Sequence, residues 1–166
     1  NYYTPALKQY RQRIDNNAQI AKELVEWQKQ LTLHWSGIYM QNFQIELSEA
    51  GFYATLHVYL DELAIDFVKV EIFANGQDND DFFLQPMMRK MTLSGAVNGY
   101  IYEAIVPKDR PFEHYTPRIV PHHVYANIPS EEIHIKWYRQ NVLKILRFCL
   151  VDKNRKTYQI SAYSVL

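Results

Sequence analysis

The chain has 166 residues, enough for one domain with its own core and short for two. Lys+Arg and Asp+Glu both number 18, so no net charge draws it to nucleic acid or to an anionic membrane. A single cysteine, Cys149, excludes an internal disulfide framework and suits a reducing, cytoplasmic setting, and no apolar run is long enough to span a bilayer.

Residues 5–35 read as helix. Thr4 is placed as an N-cap with Pro5 in the first turn, and Asn16-Asn17 marks a weak point. Ile20, Leu24, Trp27, Leu31 and Trp35 then recur at steps of three and four, an apolar stripe that must bury itself on this domain or on another. Ser36-Gly37 ends the pattern. From residue 38 the period becomes two. Ala54, Leu56, Val58 and Leu60 share one face of a strand, and Val68, Val70 and Ile72 alternate with Lys69 and Glu71 in another. A polar loop covers 74–81, Gly95 to Gly99 is a turn, and residues 99–106 form a strand. In I-H-I-K-W the alternation puts Ile133, Ile135 and Trp137 inward, with His134 and Lys136 outward.

Short strands separated by turns, without helices between them, predict a mainly β fold: an antiparallel β-sandwich preceded by a long amphipathic helical region. The division expected is a helical region over 1–37, a sandwich over 38–139 and an extension over 140–166, read as a hairpin around D-K-N-R-K. The opening residues, N-Y-Y-T-P-A-L-K-Q-Y, read as the interior of a longer protein.

Chemistry concentrates in residues 107–125, P-K-D-R-P-F-E-H-Y-T-P-R-I-V-P-H-H-V-Y. His114, His122, His123 and His134 lack metal-ligand spacing, and neighbours on a strand point to opposite faces, so His122 and His123 are not expected to share an ion. Arg110 and Arg118 have the fork that clamps a phosphate or carboxylate, yet ion pairing with Asp109 and Glu113 accounts for the same residues. Pro117 and Pro121 favour a sheet edge. Aromatic residues make up 14% of the chain, and Tyr53, Tyr59, Tyr100, Tyr102 and Tyr138 fall on predicted strands. Such rings either cover the C–H faces of a sugar or fill half-buried sheet positions. No nucleophile motif and no phosphate-cradling glycine loop is present in the sequence. The expected site residues are therefore catalytic none, cofactor none and metal none, with Tyr102, Tyr115, Arg118 and His122 as candidate glucan or anion contacts.

Two stretches carry a family signature. G-A-V-N-G-Y-I-Y-E-A-I-V-P-K-D-R-P-F-E-H-Y-T-P-R-I-V-P-H-H, running into I-K-W-Y-R, resembles the C-terminal end of the bacterial α-glucan (glycogen, starch or maltodextrin) phosphorylases. L-V-E-W-Q-K-Q-L-x-x-H-W and V-K-V-E-I-F-A are similar to the helix and strand that lead into it. The resemblance runs from about residue 2 to Arg139, and residues 140–166 depart from it. It implies a parent enzyme that uses pyridoxal phosphate to cleave α-1,4-glucosidic bonds with inorganic phosphate, releasing glucose 1-phosphate. The lysine that holds the cofactor would lie upstream of Asn1, so no catalytic or cofactor residue carries over. The expected partner is that upstream catalytic core, with α-glucan as a second. The expected role is a non-catalytic, structural domain; the alternative is a glucan-binding module.

Overall fold

The computed structural model describes residues 19–76, 82–126 and 132–139. The expected helix start at Thr4-Pro5, the Asn16-Asn17 weak point, much of the 74–81 loop, Cys149 and the 140–166 extension lie outside them.

Helix α1 (Gln19–His34) continues into a 3-10 turn over Trp35–Gly37. Its stripe is buried on this domain: Trp27 and Leu31 are 1% and 0% exposed, with Leu24 and Trp35 packed beside them. The Trp27 indole N–H points at the Phe67 carbonyl (3.4 Å), and its ring lies 5.4 Å from that of His123. Gly37 closes the helix because of space rather than backbone conformation. A Cβ there would come 2.5 Å from the Asp61 carboxylate.

Eight strands follow: β1 (Tyr39–Leu47), β2 (Phe52–Tyr59), β3 (Val68–Ala74), β4 (Phe83–Pro86), β5 (Met88–Thr92), β6 (Gly99–Val106), β7 (Thr116–Pro121) and β8 (Lys136–Trp137). They form two four-stranded antiparallel sheets, ordered β1-β2-β6-β5 and β4-β3-β7-β8. The fold is thus mainly β, as the strand spacing predicts. Ala54, Leu56 and Val58 of β2, Val70 and Ile72 of β3, Val106 of β6 and Ile119 of β7 meet Trp27 and Leu31 in one buried cluster. The period-two patterns at 54–60 and 68–72 face inward as expected.

The chain changes sheet three times, and the last two crossings matter below. Met87, between β4 and β5, is buried and donates its N–H to the Val70 carbonyl (2.9 Å). Residues 107–115 carry β6 over to β7. There the Tyr115 hydroxyl lies within reach of the Pro107 carbonyl (2.9 Å) and Asp109 (3.0 Å). Arg110 donates to the Asn75 carbonyl (2.7 Å) and lies over the rings of Phe83 and Tyr115. The crossover is therefore tied to its own surroundings by side chains the sequence had marked for binding.

Two expectations change. First, β7 is an inner strand of its sheet, not an edge: it pairs with β3 along its length and with β8 at Arg118 and Ile119. The His122 N–H reaches the Phe67 carbonyl at 2.7 Å, so by alternation the N–H groups of even-numbered residues face β3 and those of odd-numbered ones face β8. Pro117 and Pro121 fall on the β8 side, where a missing N–H leaves only Ile119 to donate. That is why β8 is two residues long.

Second, the I-H-I-K-W alternation is inverted. Ile133, Ile135 and Trp137 are 80%, 40% and 39% exposed. Lys136 instead turns in, and its ammonium donates to the carbonyls of Trp35 (3.0 Å) and Ser36 (3.1 Å). The end of a helix leaves carbonyls without partners, and a lysine placed there satisfies them. Burial holds the Lys136 pKa below its ordinary value. The His134 ring packs 5.1 Å from Trp35 and pairs with Glu132, which completes the reversed face.

Candidate functional site

β3 starts where β7 ends, with Val68 opposite Pro121. Across from them β5 and β6 pair Arg89 with Tyr102. These segments wall an open cleft of about 640 Å³, whose polar lining is Asp66, Lys69, Arg89, Tyr102, His122 and His123. Ile65, Phe67, Val68 and Val124 supply its apolar surface.

Tyr102 is 6% exposed. Burial pushes its phenol up to about 12, so it stays protonated and able to donate at neutral pH. Among the described residues its hydroxyl has no hydrogen-bond partner. His122 Nδ1 lies 3.3 Å from the Asp66 carbonyl. A carbonyl only accepts, so in the neutral ring Nδ1 carries the proton and Nε2 is left as an acceptor. His123 lines the same cleft, its ring 5.4 Å from that of Trp27, while His122 reaches the Asp66 carbonyl. The strand ends at Pro121, and strict alternation ends with it. No group of three or more metal-ligating side chains occurs among the described residues.

The four sequence-derived candidates separate. Tyr102 and His122 come together in the cleft; Tyr115 and Arg118 do not line it. Tyr115 is 3% exposed and serves the crossover, where burial and the Asp109 hydrogen bond push its phenol up to about 12. Arg118 pairs with Glu71 across the β3–β7 ladder, Nε at 2.7 Å and Nη2 at 2.6 Å, rather than with Glu113. Its guanidinium lies over the rings of Phe73 (4.9 Å) and Trp137 (5.1 Å). Sequence reasoning missed Asp66, Lys69 and Arg89. Nothing local distinguishes them from ordinary surface charges, and only the sheet change at Met87 carries Arg89 to this place.

A family model described as the glycogen phosphorylase C-terminal domain matches residues 35–139. The chain belongs to that family. Neither the curated proteins nor the solved structures contain a match. The match spans all eight strands and starts at Trp35, where α1 gives way to the 3-10 turn.

A phosphorylase of this kind implies pyridoxal phosphate, whose aldehyde requires a lysine amine in a closed pocket. The described lysines of this C-terminal domain do not fit. The Lys136 ammonium is held by two carbonyls, Lys108 donates to the Glu49 carbonyl (3.2 Å), and Lys90 is bound to Glu103 (2.9 Å) and Tyr53 (2.8 Å), which raise its pKa. Lys69 is exposed on the outward side of β3. The cofactor's chemistry is not assigned to any residue here. No helix among the described residues is long and apolar enough to cross a membrane.

Proposed function

We propose that this chain is the non-catalytic C-terminal domain of an α-glucan phosphorylase and that its role is structural. An upstream core carries out pyridoxal-phosphate-dependent phosphorolysis of α-1,4-glucans, and this domain seats against it. The outer face of the β4-β3-β7-β8 sheet carries the reading. Phe82, Leu84, Ile135 and Trp137 are 62%, 38%, 40% and 39% exposed there, around the half-buried Phe73 and Arg118. Aromatic and aliphatic side chains centred on an arginine already paired to a carboxylate have the composition of an interface core.

Two measurements test it. Amide hydrogen exchange should show the strands bearing Phe73, Arg118 and Trp137 slowed in the full-length enzyme relative to the isolated 166-residue chain. Equal exchange in both would overturn the docking. The isolated chain should also release no glucose 1-phosphate from maltodextrin and phosphate above background, and clear turnover would place catalysis here instead. Glucan binding is a second reading, favoured by the cleft around Tyr102.

A further inference from the structure

We infer that the cleft between the two sheets, lined by Asp66, Lys69, Arg89, Tyr102 and His122, is a saccharide subsite. Three observations lead there. A phenol 6% exposed and without a hydrogen-bond partner among the described residues is costly unless an occupant of the cleft satisfies it. Tyr102 lines the cleft, so the partner comes from whatever occupies it.

The rim decides the class of occupant. Arg89 donates only, the Asp66 carboxylate accepts only, and in the neutral His122 ring Nε2 accepts while the Nδ1–H faces the Asp66 carbonyl. An oxyanion would share the cleft with the Asp66 carboxylate, which repels it. A hydrocarbon would leave the Tyr102 hydroxyl stranded. A neutral polyol, each of whose hydroxyls donates and accepts, matches the whole set. Finally, Ile65, Phe67, Val68 and Val124 provide the apolar surface that the C–H faces of a pyranose ring need. A volume of 640 Å³ lies within the range of about 300–1,000 Å³ usual for small-molecule sites, and the open mouth admits a ring belonging to a longer chain.

That the site takes a saccharide stands on these residues; that the saccharide is an α-glucan rests on the function proposed above. The experiment separates the two. The isotopically labelled 166-residue chain is titrated, by NMR, with maltotriose, cellotriose and inorganic phosphate in parallel at millimolar concentrations. Maltotriose is expected to shift the amides of Lys69, Arg89 and His122. Tyr102→Phe should weaken that binding about fivefold or more, equivalent to about 1 kcal/mol, without lowering the thermal midpoint, because the hydroxyl has no partner among the described residues. Arg89→Ala, at an exposed position, should weaken it as well.

Shifts with cellotriose but not maltotriose would keep the saccharide site and remove its α-glucan assignment. Shifts with phosphate alone would overturn the proposal in favour of an anion site. Cleft amides unmoved by either sugar would overturn it outright, as would a Tyr102→Phe variant that melts earlier yet binds as before.

Discussion

Glu71 and Arg118 face each other across β3 and β7 with side chains only 12% and 15% exposed. Cutting one partner away leaves the other charge poorly solvated, so Glu71→Ala should cost about 2 kcal/mol in urea unfolding. Glu71→Gln, which keeps an acceptor, should cost less. On the opposite sheet, Lys90 and Tyr53 both hydrogen-bond Glu103, and they hold its carboxyl below the ordinary value of 4.5. A depressed folded pKa stabilises above the unfolded value and loses that contribution as pH falls through the folded one. Stability measured against pH should therefore decline below about pH 4.5, and Glu103→Gln should flatten that acid limb. An acid limb identical in variant and wild type would show that Glu103 contributes nothing. Neither partnership could be read from the sequence. Arg118 had Glu113 nearby along the chain, whereas Glu71 is 47 residues away and becomes its neighbour only through the β3–β7 register.

At the level of elements, α1 is the clearest case of sequence legibility. Its three- and four-residue spacing named Trp27 and Leu31, and both are among the most buried side chains. What the spacing left open was the partner, and the structure supplies it from this domain's own core. Leu31→Ala should accordingly cost about 2–5 kcal/mol, read as a lowered denaturation midpoint for the 166-residue chain. A loss below about 1 kcal/mol would mean the helix belongs energetically elsewhere. The strands of high alternation were legible for the same reason, since each has one wet face and one dry. I-H-I-K-W was misread because alternation reports which residues share a face, not which face is dry. There the end of α1 claims the polar side through Lys136, and the apolar side is left in solvent.

For the whole molecule, the family and the mainly β class were legible, whereas the cleft was half legible. Tyr102 and His122 were suspected from residue type. Asp66, Lys69 and Arg89 join them through two sheet changes and a strand register that have no local signal. The two prolines of β7 bear on how this domain can associate. Because they limit β8 to two residues, the described sheet ends in a stub that offers almost no backbone ladder to an incoming chain. At this edge, association by backbone pairing is disfavoured and burial of side chains on the broad face is left. The same stub gives a neighbouring copy little to template on, so a solvent-facing patch of Phe, Leu, Ile and Trp sits beside an edge that resists fibre-like stacking.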